Sequence, residues 1–356
     1  MYIITNRSVN EGKTSVKSAF GNKPAEGPNE LRLAEAQRSN KKWHINVLPD
    51  RVTGTGQKAN AKQDDKNALF ASDYVAKQLI EKLNSAAQGR HILLYVHGFN
   101  NDLESVLNRA EQLQHNYNVE VVIFSWPANG GGVKGVLSYK SDKRDALASV
   151  GAFNRVLERL QSIVQQLHAA YISQLEQETE AKFGQNAEKW DRYFSAAVAT
   201  RCPFTINLML HSMGNYLYKH LLSSSVYSGN QLIFDNIVMV AADTNNEQHA
   251  SWVDNIQCRN RLYITLNEDD SALRASRMKM GEKQQARLGH YLRRLDAKTA
   301  TYINFTGQQH VGSSHAYFED DAIKNTKVHS FFQQAFSGQT AEDSLVYDAA
   351  RNLYHF

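Results

Sequence analysis

The chain has 356 residues, 42% hydrophobic and 21% charged, which is the balance of a soluble globular protein with a sizeable core. Its net charge of +4, from 40 basic and 36 acidic residues, is too weak to argue for nucleic acid, and no dense basic stripe with interleaved aromatics supplies a footprint for it. The two cysteines, Cys202 and Cys258, exclude a disulfide framework, and neither lies in a Cys-x-x-Cys or Cys/His cluster that would hold a structural zinc.

The chain opens with Met-Tyr-Ile-Ile-Thr-Asn-Arg, without the basic start and long apolar run of a signal peptide. No stretch reaches the roughly 18 apolar residues of a membrane span, so a cytoplasmic protein is expected. Candidate strands then recur: Tyr2–Thr5, His44–Leu48, His91–Val96, Val119–Ser125, Thr205–Leu210, Asn236–Ala241, Leu262–Leu266 and Thr301–Phe305. The near-continuous apolar runs predict strands buried on both faces. Their alternation with helical patterns predicts a mostly parallel central sheet with helices on both faces, an α/β architecture.

The clearest helical period runs from Phe153 through Val156, Leu157, Leu160, Ile163, Val164 and Leu167 to Leu175. After a polar stretch it restarts at Trp190, Tyr193, Phe194, Ala197 and Val198. A helical hairpin inserted at about 151–203 is the expectation, with its apolar face on the sheet or over the site. Residues 6–43 and 49–66 are polar and contain Gly or Pro, and both are expected as irregular surface loops.

The strongest chemical signal is Leu210-His211-Ser212-Met213-Gly214-Asn215, between the apolar run TINLML and an amphipathic helix. Strand, tight turn and helix in that order form the context of a nucleophile elbow. The turn raises the Ser212 hydroxyl above the sheet. Gly214 leaves room for crowded neighbours, and the helix N-terminus brings positive partial charge to the serine. The backbone N–H of Met213 then points to where an oxyanion would form. The pattern departs from Gly-x-Ser-x-Gly at Leu210, a packing position and not a reactive one.

His97-Gly98-Phe99-Asn100-Asn101 follows the run HILLYV, where a second oxyanion donor is needed, and the N–H of Phe99 is assigned to it. Asn100 and Asn101 are expected to pin that turn. The general base must follow the last strand, which leaves His315 and His310. The acid that orients it should follow the strand before, in Asn267-Glu268-Asp269-Asp270-Ser271. Asp270 and Asp269 are candidates there, and Asp243 is a third. A non-catalytic Asp270 would be a helix N-cap. No His-x-x-x-His on a predicted helix suggests a metal hydrolase, and Gly130–Gly132 lacks the Lys-Ser/Thr of a nucleotide-binding loop. No cofactor or metal is expected.

Together these residues resemble the α/β-hydrolase superfamily. More narrowly they are similar to a bacterial branch that carries HGFNN, SWP, HSMGN, Asp-x-Ala-Leu and His-x-Tyr-Phe in that order. Here those are His97–Asn101, Ser125-Trp126-Pro127, His211–Asn215, Asp270–Leu273 and His315–Phe318. The resemblance covers roughly residues 90–318 and favours Asp270 over Asp269 and His315 over His310. Arg287-Leu288-Gly289 also looks like an element of that branch. The length of the chain fits one α/β-hydrolase domain over 1–356, with the irregular segment 6–43 and the helical insertion at about 151–203. The resemblance implies a serine hydrolase of carboxylic ester bonds with Ser212, His315 and Asp270 as triad and Phe99 and Met213 as oxyanion donors. A small acyl ester is the expected substrate, bordered by His97, Gly98, Asn100, Trp126 and His211, with Trp126 and Gly130–Gly132 in a loop over the site; core packing is the other reading of Trp126. A lipase or thioesterase acting on longer acyl chains would use the same groups. A binding module with the same fold would use none of them.

Overall fold

The computed structural model describes residues 1–27, 30–53, 68–85, 91–128, 139–200, 204–225, 227, 232–277 and 285–356. The strands among them are β1 (Tyr2–Thr5), β2 (Arg7–Val9), β3 (Phe20–Pro24), β4 (Arg32–Ser39), β5 (Lys42–Val47), β6 (Arg51–Val52) and β7 (Leu69–Phe70). They continue with β8 (His91–Val96), β9 (Val119–Ser125), β10 (Ile206–His211), β11 (Asn236–Val240), β12 (Arg261–Leu266), β13 (Ala300–Asn304), β14 (Val346–Asp348) and β15 (Leu353–His355). Eleven of them form one sheet in the order β14-β15-β13-β12-β11-β10-β8-β9-β1-β4-β5. Pairing is parallel from β15 to β1. Antiparallel strands close both edges, β4 and β5 on one side and β14 on the other. This is the expected α/β, mostly parallel sheet of the α/β-hydrolase fold.

The continuous apolar runs are explained by a core on each face. Leu94, Val96, Val122, Phe124, Leu208 and Leu210 point into one hydrophobic cluster. Leu93, Tyr95, Val121, Ile123 and Met209 point into the other. The first face is covered by the helices Ala71–Ser85, Val150–Phe183 and Met213–Leu222, and the second by Leu103–Tyr117 and Thr326–Phe336. No helix among the described residues is long and apolar enough to cross a membrane.

The insertion is a helical hairpin, Val150–Phe183 followed by Ala187–Thr200. The arms are tied by Lys182 Nζ donating to Tyr193 Oη at 3.0 Å, and Asn186 caps the second arm by accepting from the Lys189 N–H. Its first third packs on the sheet: Ala152, Phe153, Val156 and Leu157 are buried, and the Phe153 ring lies 4.7 Å from that of Phe124.

The span 6–43 corrects the expectation of an irregular segment. It carries β2, β3, the short helix Val16–Ala19, and the eight-residue β4, which pairs with both β1 and β5. In β4 only Ala34 and Ala36 are buried. Two buried alanines in Arg-Leu-Ala-Glu-Ala-Gln-Arg-Ser give almost no hydrophobic period, which is why the sequence hid this strand. Of the second polar stretch, 49–66, residues 54–66 lie outside the described residues.

The sheet order also locates a crevice. From β8 the chain passes through Leu103–Tyr117 on one face to β9; from β10 it passes through Met213–Leu222 on the other face to β11. Strands β8 and β10 are neighbours, so their connections leave in opposite directions from one point. Such a switch point leaves an opening at the C-terminal strand ends, where open α/β sheets bind ligands.

Candidate active site

Ser212 ends β10 at that switch point. Its backbone takes φ 54°, ψ −118° and the helix Met213–Leu222 starts at the next residue. A side chain at positive φ outside the ordinary left-handed well is strained and persists only where its surroundings enforce it. Here the Ser212 N–H donates to Val240 O at 3.0 Å, and Ser212 O accepts from the N–H groups of Asn215 and Asp243. The Asn215 side chain clamps the same turn, with Nδ2 reaching Leu210 O at 3.0 Å, Ser212 O at 3.1 Å and Val240 O at 3.3 Å. Gly214 permits the helix to sit down on β8: a Cβ there would meet Val96 O at 2.7 Å. Leu210, where the usual pattern has glycine, is wholly buried in the core.

The turn after β8 meets the serine from the other side. Gly98 is the point of contact, with Ser212 Cβ and Oγ beside the position a Gly98 side chain would take. Asn100 takes φ 54° and its N–H donates to Asp142 Oδ2 at 3.4 Å. Asn101 Nδ2 donates to Phe99 O at 2.7 Å, pinning the turn as expected of it. Phe99 packs edge-on against Tyr139, ring centres 5.2 Å apart.

His315 and Asp270 come from far along the chain and meet this region at His211, the residue before Ser212. His315 Nδ1 lies 2.7 Å from Asp270 Oδ2. Asp270 is wholly buried, and the His315 side chain keeps 22% of its surface. Asp270 Oδ1 accepts from the N–H groups of Ala272 and Leu273, both at 2.9 Å. The two readings of Asp270, partner of a histidine and helix N-cap, therefore hold at once on its two oxygens. His315 Nε2 is buried and has no hydrogen-bond partner among the described residues. Its ring lies 4.8 Å from that of His211, the neighbour of Ser212.

The alternatives lie elsewhere. Asp243 is buried against Arg287 at 3.0 Å and accepts from Tyr139 Oη and Ser276 Oγ, both at 2.9 Å. This assigns a place to Arg287-Leu288-Gly289: Arg287 neutralises Asp243, and Gly289 lies so close to Ala241–Ala242 that a Cβ would come 2.3 Å from Ala242 N. His310 is exposed at φ 67°. Asp269 is half-buried, its N–H turned to Asn267 Oδ1.

Three expected substrate contacts need correction. Trp126 is wholly buried, stacks on His97 at 5.2 Å and donates from Nε1 to His97 O at 2.9 Å. It braces the turn from beneath. His97 is wholly buried too, with Nδ1 on Gly98 O at 2.8 Å; burial and then the Arg7 guanidinium push its pKa down to about 3, so it is neutral. His211 has its Nε2 on His315 O at 3.1 Å and its ring edge-on to Phe318, and burial holds it neutral as well. These aromatic residues support the turn and the base, because flat rings beside backbone carbonyls fill the space under the strand ends. Gly130–Gly132 lie outside the described residues.

Several contributors were not anticipated. Arg7 reaches under the site to Ser125 Oγ at 3.2 Å and Ala128 O at 3.4 Å. Tyr317, in the His-x-Tyr-Phe stretch, inserts its hydroxyl between Thr265 Oγ1 at 2.6 Å and the Ala241 N–H at 3.2 Å. Arg109 bridges Asn101 and Glu319. The signal that could have found Asp243's role is Arg287, a cation in an otherwise apolar motif that needs a buried partner.

Compared with known families, the chain matches the model of an alpha/beta hydrolase of unknown function (DUF900) over residues 71–173 and 178–315, more than half its length. The match takes in the Gly98 turn and Ser212 and ends on His315. No curated protein and no solved structure matches it.

Proposed function

The chain belongs to the alpha/beta hydrolases of unknown function (DUF900), and from that membership we propose that it is a serine hydrolase cleaving carboxylic ester bonds of a small acyl ester. Ser212 is the nucleophile, His315 the general base and acid, Asp270 its orienting carboxylate, and the N–H groups of Phe99 and Met213 the oxyanion donors.

The observation that carries this reading is the meeting of the segments that follow four strands, β8, β10, β12 and β13. A serine at φ 54° heads a helix, a glycine from the neighbouring strand lies against its side chain, and a buried carboxylate holds a histidine whose ring lies 4.8 Å from that of His211, the serine's neighbour in the chain. Asp270 Oδ2 accepts from His315 Nδ1, which leaves the Nε2 lone pair for the serine proton. Serine–base contacts in ligand-free hydrolases are often long and tighten when substrate binds.

The reaction follows. Ser212 Oγ attacks the ester carbonyl carbon while His315 Nε2 takes its proton. The carbonyl oxygen becomes an oxyanion and accepts from the two backbone N–H groups, with the helix N-terminus adding favourable potential. Asp270 stabilises the imidazolium. Collapse expels the alcohol, which takes the proton from Nε2 and leaves an acyl-serine. Water repeats the sequence, giving its proton to His315 and its oxygen to the acyl carbon, and frees the acid.

A fluorophosphonate probe tests this. The folded protein should be labelled at Ser212 and should turn over short p-nitrophenyl esters. Ser212→Ala should lose both while keeping its circular dichroism spectrum. Full turnover by that variant would end the assignment. Absence of labelling in the folded wild type would favour a binding module with an idle site.

A further inference from the structure

Resting on the serine-hydrolase reading, we propose that Arg109 is a positioning residue that locks the oxyanion turn and the base-bearing segment into one unit, through Asn101 on one side and Glu319 on the other.

Arg109 projects from the helix Leu103–Tyr117, on the face of the sheet opposite the helix that starts at Ser212. Its guanidinium contacts two segments distant in sequence. Nε lies 2.9 Å from both Glu319 oxygens and Nη2 2.7 Å from Oε1. From the other corner, Nη1 reaches Asn101 Oδ1 at 3.2 Å. Asn101 passes the constraint on, since its Nδ2 donates to Phe99 O at 2.7 Å. The peptide that follows Phe99 is thereby fixed, and with it the turn that presents the Phe99 N–H.

On the other side, Glu319 lies four residues after His315. The residues between are anchored in the same direction. Phe318 O accepts from Tyr117 Oη, on the Arg109 helix, at 2.6 Å. The Phe318 ring lies between the Arg109 guanidinium, 5.8 Å from its centre, and the His211 ring. One helix thus holds both the donor turn and the segment bearing the base, and Arg109 is the side chain that bonds to both.

The chemistry calls for arginine. A planar fork can meet both oxygens of a carboxylate and still offer a donor to an amide oxygen, whereas an ammonium is a point charge without that geometry. Burial works against the charge on Arg109, but Tyr95 and Glu319 more than compensate and raise its pKa. A buried ion pair is weak evidence of stabilisation by itself. What gives this one a further meaning is where its two ends lead.

The test uses the full chain with Arg109→Gln, Arg109→Lys, Asn101→Ala, Glu319→Gln and the Asn101→Ala/Glu319→Gln double variant. Readouts are ester kinetics and inhibition by a trifluoromethyl ketone, which forms a tetrahedral adduct with serine. Arg109→Gln should lower kcat by roughly tenfold to a hundredfold with KM within about twofold, the pattern of misplaced reacting groups. Inhibitor affinity should fall in step with kcat/KM. Arg109→Lys should restore little. Among the described residues no hydrogen bond joins Asn101 to Glu319 directly and Arg109 bonds to both, so their combined effect should be smaller than the product of the single effects. Should Arg109→Gln fail to fold, the Asn101 and Glu319 variants carry the same test. Multiplicative effects, or variants that lose only melting temperature and keep kcat, would overturn the proposal. Wild-type protein that is never labelled at Ser212 would remove the serine reading and this inference together, whereas labelled wild type with unaffected variants removes the inference alone.

Discussion

Gly98 lies so close to Ser212 that a methyl group on its Cα would come 2.7 Å from Ser212 Cβ and 3.1 Å from Oγ. Gly98 has no left-handed φ, so its own backbone would accept a side chain; the obstacle is the serine. Gly98→Ala should therefore injure the site more than the fold. We expect kcat/KM on p-nitrophenyl esters to drop by about a hundredfold, the scale of a displacement near 1 Å at the reacting atoms. Gly214→Ala is the control, because its methyl would press on Val96 O and His97 O, backbone that cannot move aside. Its main cost should be stability, about 1–3 kcal/mol of overpacking. Urea unfolding beside the rate of fluorophosphonate labelling separates the two. Labelling of Gly98→Ala at the wild-type rate would mean that the turn after β8 does not border the reacting oxygen.

The two oxygens of Asp270 carry different burdens, one on His315 and one on the N–H groups of Ala272 and Leu273. Asn and Ala substitutions should pull these apart. Asp270→Asn keeps a carbonyl oxygen for the cap, so its stability should stay near wild type. It cannot stabilise an imidazolium, and kcat should fall on the order of a thousandfold or more. Asp270→Ala should match that loss and also lose about 1 kcal/mol through the missing cap. Equal stability of the two variants would show that the cap contributes nothing. Unchanged kcat in Asp270→Asn would return Asp269 and Asp243 to consideration.

The contrast between these residues and Arg109 shows what a sequence can carry. The buried strands were readable because both faces of β8 to β12 are apolar, and the turns after them because Gly98 and Gly214 stand where backbone meets backbone. Strand β4 was not readable, since only Ala34 and Ala36 are buried; nor was β15, only three residues long and paired with β13 across some fifty positions of sequence. Position alone could not separate Asp270 from Asp269, one residue apart at the same strand end; what separates them is which side chain turns inward, a tertiary fact. Arg109 and Glu319 are 210 positions apart. Nothing local marks an arginine on an amphipathic helix as a strut, because its meaning depends on what the sheet order brings opposite to it. Trp126 left two readings open for a related reason: a tryptophan beside a proline and glycines suits a loop or the core, and here it is buried and packs flat against His97.

His97 and His211 give the molecule a pH dependence with a definite sign. His97 Nδ1 shares its hydrogen bond with a carbonyl, which only accepts, so that nitrogen carries the hydrogen and the ring is neutral. Burial, then Arg7, lowers its pKa to about 3; burial, then His315, pushes His211 well below the ordinary value. In the unfolded chain both titrate near 6.5. Below that pH the unfolded state binds protons that the folded state refuses, so stability falls as pH drops from 6.5 towards 3 and is flat in this respect above 6.5. The limiting slope is about 1.4 kcal/mol per pH unit for one histidine, so His97 costs about 2 kcal/mol at pH 5, and His211 adds in the same direction. His91, His249 and His290 are shifted down by burial as well and add in the same direction. Urea unfolding at constant ionic strength between pH 7.5 and pH 5 measures it. His97→Gln should remove one histidine's share of the slope. Stability unchanged between pH 7 and pH 5 would mean that the rings beneath the Gly98 turn take up protons in the folded protein, and that the support of that turn is not the neutral stack of His97 on Trp126.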